Sequence, residues 1–259
     1  MTTLDRTKFG ALLFEEEFAG SALDPTKWIN GSYGWGWIAG TATAPAHATK
    51  TSHVLSDGSV CSMEAANTTV AAGMAQMVAK KGGSNWQMPW SAPLIRTAPH
   101  FKPGCYIEGR MKFPSGQGFW PAFWLCGPAP SAEADVAKQF TGEIDIVEGL
   151  MASPSVQHIT VHWDKEQHYA EHSVQRLNMA TQFIVFGCAW TASGFQFYQD
   201  DVLVASIPWQ AAMAASLDQE MQILLNLSVG GNWGGPPAPE LTEGLMQVDW
   251  VRVHALAGS

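Results

Sequence analysis

A chain of 259 residues with 46% hydrophobic and 14% charged residues carries enough apolar material for a sizeable core and is not disordered. Its formal net charge of -9, from 14 Lys and Arg against 23 Asp and Glu, excludes a nucleic-acid partner, since no basic stripe is available to meet a phosphate backbone. No apolar run approaches the roughly 20 residues that span a bilayer, and the first twenty residues lack the apolar stretch of a secretory leader, so we expect no membrane partner and either a cytoplasmic chain or one whose leader has been removed.

Taken in chain order, the text is one of short alternating strands between turn residues. After "FEEEFAG" (14–20), the segment "GTATAPAHATKTS" (40–52) reads as a long loop. "CYIEGRMKF" (105–113) sets Cys105, Ile107 and Met111 against Tyr106, Glu108, Arg110 and Lys112, which is the period of a half-buried strand. "AEADVAKQF" (132–140) and "SIPWQAAMAASLD" (206–218) each offer a turn or two of helix. "FIVFGCAWTASGFQFYQDDVLVASI" (183–207) predicts three strands joined at "SG" and "DD" turns, "MQILLNLSVGGNWGG" (221–235) a strand entering a glycine-rich loop, and "QVDWVRVHA" (247–255) a last strand after the loop "GGPPAPE". No repeat or linker interrupts the pattern, so the economical reading is a single all-β sandwich over residues 1–259.

Cys61, Cys105, Cys126 and Cys188 form no CxxC pair, which argues against a metal knuckle or redox dithiol and for buried thiols. The composition is unusual in having 12 Trp against 4 Tyr. Most such rings fill a core, but a tryptophan on an open surface is also a flat apolar platform with a hydrogen-bonding edge, suited to a sugar ring.

The segment "TGEIDIVEGL" (141–150) puts Glu143, Asp145 and Glu148 among Ile144, Ile146 and Val147, where isolated charge is expensive to bury. On a regular strand Glu143 and Asp145 share a face and Glu148 points away from them. One β-bulge between Asp145 and Glu148 restores all three to one face. Three crowded carboxylates cannot all ionise easily, so one is held protonated near neutral pH, and an acid beside its ionised partner is what retaining glycoside hydrolysis requires. The plain alternative is a solvated acidic face. Zinc chemistry is set aside: "HYAEH" (168–172) has Tyr169 where the HExxH signature needs Glu, and His158 with His162 is a pair on one strand face without a third ligand.

"GEIDIVEGL" resembles the ExDxxE signature of glycoside hydrolase family 16, in its bulged branch of laminarinases (endo-1,3-β-glucanases). "GRMKFPSGQGFWPAFWLCG" (109–127), "LLNLSVGGNWGG" (224–235), "VDWVRV" (248–253) and the opening "FEEEFAG" with "LDPTKW" (23–28) are similar to other segments of that family in the same order. The resemblance implies a β-jelly-roll of two antiparallel sheets with a concave substrate cleft, and an endo-acting retaining hydrolase of β-glucan, 1,3-β-glucan first. It implies Glu143 as nucleophile, Asp145 as the carboxylate that tunes the pair and Glu148 as general acid and base. It further implies Trp120 and Trp124 beside the cleaved bond, His162 near the leaving-group side, and Arg110, Asn226 and Trp233 toward the glycone. No cofactor is expected for catalysis; a structural Ca²⁺ is implied at Glu17, Gly58 and Asp249. A monomer that is secreted or periplasmic is also implied. "GSYGWGWIAG" (31–40) and "WSAPLIRT" (90–97) depart from the family's pattern at the far subsites, so mixed-linkage glucan, agar and carrageenan, transglycosylation and a non-catalytic glucan-binding module stay open as alternatives.

Overall fold

The computed structural model describes residues 2–31, 59–83, 88–127, 142–163 and 168–257. Two sheets pack face to face. The seven-stranded sheet runs, edge to edge, β12 (His168–Gln175), β11 (Val156–Trp163), β10 (Glu143–Gly149), β9 (Phe119–Cys126), β16 (Gln222–Val229), β7 (Leu94–Thr97) and β2 (Trp28–Asn30). The ten-stranded sheet runs β15 (Val202–Pro208), β14 (Gly194–Gln199), β13 (Ile184–Thr191), β8 (Cys105–Lys112), β17 (Glu243–Leu256), β5 (Met74–Lys81), β6 (Trp90–Ala92) and β3 (Cys61–Met63), with β1 (Phe9–Glu16) also on β17 and β4 (Thr68–Ala71) on β5. Only the β3–β6 pairing is parallel among the described strands.

The expected period-2 pattern accounts for the layers. Along β9, Phe119, Phe123 and Leu125 are buried between the sheets while Trp120 and Trp124 remain partly exposed on the other face. Strand β16 lies between two neighbours and is buried throughout, its polar Gln222, Asn226 and Ser228 included. Trp90, Trp190, Phe119, Phe123, Phe186, Phe195 and Phe197 are fully buried in one continuous core, and truncating a ring of this kind to alanine costs about 3–5 kcal/mol. All four cysteines are buried as well, and burial pushes the Cys105 thiol up to about 12.

The three strands predicted between 183 and 207 are β13, β14 and β15. Asp200 and Asp201 both adopt positive φ, 47° and 62°, the backbone a two-residue hairpin turn demands. The helical text at 206–218 becomes a 3-10 turn at Ala211–Met213 running into a four-residue helix, Ala214–Leu217, whereas "AEADVAKQF" lies outside the described residues. No helix of the described residues is long and apolar enough to cross a membrane.

Candidate active site

Strand β10 pairs with β11 as Glu143 with His162, Asp145 with Thr160 and Glu148 with His158, so three steps along β10 match two along β11. Against β9, Asp145 faces Trp124 and Val147 faces Phe123, which puts the additional residue at Ile146. Ile146 and Val147 are both fully buried, and Glu148 is turned back to the face of Glu143 and Asp145. The bulge has a partner of its own. The Ile146 carbonyl accepts a hydrogen bond from Gln157 Nε2 at 2.9 Å, Gln199 Nε2 donates to Gln157 Oε1 at 3.3 Å, and Arg176 Nη1 donates to Gln199 Oε1 at 2.8 Å. Gln157 and Gln199 are both 1% exposed, so a buried polar chain running from sheet to sheet ends on the bulge.

Register then fixes what surrounds the acids. On the open face, β9 adds Trp124 and Trp120, β16 adds Asn226 and Ser228, β11 adds His162 and His158, and β12 adds Tyr169 and Ser173. Trp120 Nε1 donates to Glu148 Oε1 at 2.9 Å, and Trp124 Nε1 donates to Asn226 Oδ1 at 2.7 Å. His162 Nε2 lies 3.4 Å from Asp145 Oδ2 and 3.8 Å from Glu143 Oε1. Asp145 is 2% exposed, and its Oδ2 accepts no hydrogen bond among the described residues, which leaves it the least solvated charge of the three.

These surroundings push all three carboxyls up. Glu143 is raised well above the carboxylate range by burial and then by the charge of Asp145, with His162 opposing. Burial alone raises Asp145. For Glu148, burial and Asp145 raise the proton affinity, while the hydrogen bond from Trp120 and the nearby His162 lower it. Elevated proton affinity in a crowded set of acids favours a carboxylic acid that donates beside a carboxylate that attacks. Glu143, Asp145 and His162 also present donor atoms within 4.8 Å of one another, a set able to hold a metal ion.

Eight of the nine residues implied for the acids and the substrate lie together here: Glu143, Asp145, Glu148, Trp120, Trp124, His162, Asn226 and Trp233. Trp233, 41% exposed on the loop after β16, meets Trp120 edge-on with ring centroids 5.3 Å apart. Arg110 lies apart from them. It belongs to β8, in the other sheet, where its guanidinium pairs with Asp249 and covers the Phe183 ring at 4.7 Å. Its text alternated correctly, but alternation does not say which sheet a strand joins.

Two of the three implied Ca²⁺ ligands are engaged by arginines. Arg252 Nε and Nη2 donate to Glu17 Oε1 at 3.0 and 2.6 Å, Asp249 is paired with Arg110, and Gly58 lies outside the described residues. A Ca²⁺ ion takes about six to eight oxygens, and binding at Glu17 and Asp249 would require it to displace two guanidinium groups. Two further residues belong to the site without having been implied by the resemblance. Tyr169, 56% exposed on the edge strand and 5.7 Å from the His162 ring, stood out only as the residue that spoiled a zinc motif. Gln157 is a polar residue at a buried strand position, a signal that was available.

Fold and site together define a class: a two-sheet β sandwich with three crowded carboxylates and aromatic rings on one open sheet face, the equipment of a glycoside hydrolase. The chain belongs to glycosyl hydrolases family 16, whose family model matches residues 50–252. It is 31% identical over 161 residues to the beta-glucanase of Rhodothermus marinus, covering 57% of this chain and 56% of that protein. It is 27% identical over 269 residues to glucan endo-1,3-beta-glucosidase A1 of Niallia circulans, covering 94% of this chain and 37% of that one, so the chain spans 37% to 56% of these relatives' length. The endo-beta-1,3-glucanase structure from Pyrococcus furiosus superposes with a TM-score of 0.78 at 26% identity, covering 96% of this chain and 95% of that one. The sandwich is a β-jelly-roll of the same kind.

Proposed function

We propose that the chain is an endo-acting, retaining hydrolase of β-glucan, with 1,3-β-glucan as its main substrate. The observation that carries the reading is the bulge at Ile146, which brings Glu143, Asp145 and Glu148 to one face beside Trp120 and Trp124. Ionised Glu143 attacks the anomeric carbon while protonated Glu148 gives its proton to the departing glycosidic oxygen. Water then enters, Glu148 takes its proton, and the bond from Glu143 to carbon breaks with net retention. Asp145 is the tuning group, since its charge raises the proton affinity of both glutamates. His162 stands on the leaving-group side with Tyr169 beyond it, and Asn226 lines the other side beneath Trp124. The choice of 1,3-β-glucan rests on the enzymes that the chain resembles in both sequence and fold, among them the Niallia circulans and Pyrococcus furiosus proteins. Such a polymer does not enter a cell intact, so we place the protein outside the cytoplasm, secreted or periplasmic, and acting as a monomer because one copy supplies all three acids. Digestion of laminarin, lichenan, agarose and carrageenan with sizing of the products tests the reading. Rapid appearance of mid-sized oligosaccharides from laminarin is expected; monomers alone from the outset, or agarose cleaved and laminarin spared, would overturn it.

A further inference from the structure

The ring of Trp120 offers a stacking surface, yet its polar edge is spent inside the protein. Its indole N–H donates to Glu148 Oε1 at 2.9 Å. Two other elements hold that indole in place. Trp233 stands edge-on to Trp120 at 5.3 Å and to the His158 ring at 4.8 Å, so it sits between a residue of β9 and one of β11. His158 is itself tied to β12 through Nδ1 and Ser173 Oγ at 3.0 Å. The loop that carries Trp233 is tied by backbone hydrogen bonds, from Gly230 N–H to the Gly118 carbonyl at 2.8 Å and from Gly235 N–H to the Gly231 carbonyl at 3.0 Å. Gly230, Gly231 and Gly235 have φ of +79°, +95° and +72°, and a Cβ on Gly234 would stand 2.1 Å from the Gly230 carbonyl oxygen. Three strands and one constrained loop therefore converge on a single N–H, and that N–H points at one carboxylate oxygen.

We propose that Trp120 is a positioning residue for Glu148: held by Trp233 and His158, its indole N–H fixes the carboxyl group so that the other oxygen, Oε2, carries the proton toward the leaving group. The inference rests on the reading of Glu148 as the general acid and base. A donor to Oε1 favours the ionised form, which limits how far burial and Asp145 raise the group and keeps Glu148 able to act as a base in the second step. The titratable groups around Glu148 are Glu143 and Asp145 on its own strand and His158 and His162 on β11; Trp120 and Trp124 from β9, Asn226 from β16 and Trp233 from the loop do not titrate. Loss of the N–H thus has a defined sign. Glu148 holds its proton to higher pH.

Trp120→Phe keeps a ring for stacking and removes the donor. The test compares kcat/KM, which reports steps through the first bond cleavage, for laminarihexaose and for β-laminaribiosyl fluoride, whose fluoride departs without a proton. The expected result is a fall of about tenfold to a hundredfold with the hexaose, a clearly smaller loss with the fluoride, and an alkaline limb of the hexaose pH profile displaced upward. Trp233→Leu, which leaves the N–H in place but frees the indole, should show the same dependence on leaving group and serves if Trp120→Phe does not fold. Equal losses on both substrates would make Trp120 a sugar platform alone, and no loss on either would make the hydrogen bond idle; both results overturn the proposal. Glu148→Ala separates this from failure of the parent reading. If Glu148→Ala cleaves the fluoride but not the hexaose while both tryptophan variants lack that contrast, only the positioning role is lost; if Glu148→Ala still cleaves the hexaose, Glu148 is not the acid and both readings fall.

Discussion

Gln157→Leu keeps roughly the volume of the side chain and removes the donor that caps the bulge. The Ile146 carbonyl then loses Gln157 Nε2, and Gln199 Nε2 loses its acceptor, both in a region that is 1% exposed. A buried group left unpaired costs about 1–3 kcal/mol, and leucine offsets part of that by removing the burial cost of the amide itself, so about 2 kcal/mol is the expected loss. For a chain of this size about 2–4 °C of Tm accompanies each kcal/mol, which gives a fall of about 4–8 °C by differential scanning calorimetry. The activity should respond separately. The bulge sets where Glu148 stands relative to Glu143, and a shift of about 1 Å in a reacting group costs on the order of a hundredfold. Measured on laminarihexaose at least 20 °C below the variant's Tm (a margin on the order of several times the expected shift), kcat should fall by at least about tenfold with KM little changed. A variant that melts earlier yet turns over at the wild-type rate would show that β10 keeps its bulge without this cap, and the reasoning from Gln157 to catalysis would fail.

Glu143→Ser should lose hydrolysis by several orders of magnitude, retain affinity for laminarioligosaccharides by calorimetry, and use a glycosyl fluoride of the α configuration as a donor for ligation; full hydrolysis would remove Glu143 as nucleophile. Asp145→Asn should move the alkaline limb of kcat/KM downward, opposite to Trp120→Phe, because the charge that raises Glu148 is gone. The same variant should be more stable at neutral pH. Burial raises the folded-state proton affinity of Asp145 above that of the unfolded chain, so this group costs nothing while protonated in both states and costs stability as pH climbs above the unfolded value. The gain in Tm should therefore vanish below about pH 4, and a gain of equal size at every pH would contradict the burial argument. Chelation with EDTA should leave Tm unchanged, since Arg252 and Arg110 already engage Glu17 and Asp249; a rise in Tm on adding Ca²⁺ would show that the ion displaces them.

What the sequence disclosed and what it withheld follow from the range of each signal. Alternation at 105–113 and 183–207 and the paired aspartates at 200–201 are local, and the strands and the hairpin turn formed where they are written. The bulge was legible because a burial conflict at Glu148 had a single cheap resolution. Arg110 was placed toward the glycone by resemblance, and its strand instead pairs with β13 and β17 in the other sheet, partners far along the chain. Glu17 and Asp249 were implied as hard-cation ligands by resemblance, and nothing local shows that Arg252 reaches Glu17 across 235 positions. Trp120 was legible as a surface ring, but the direction of its N–H depends on the register between β9 and β10 and on a loop more than a hundred residues away.

The central claim is that Glu143 and Glu148, brought to one face by the bulge, carry out a double displacement. Proton NMR of a laminarioligosaccharide digest, followed from the first seconds before mutarotation, reads the anomer released. The account predicts β product first, with the α signal growing only at the rate of mutarotation. An α anomer released first would mean inversion at the anomeric carbon, and the roles assigned to the two glutamates would be wrong.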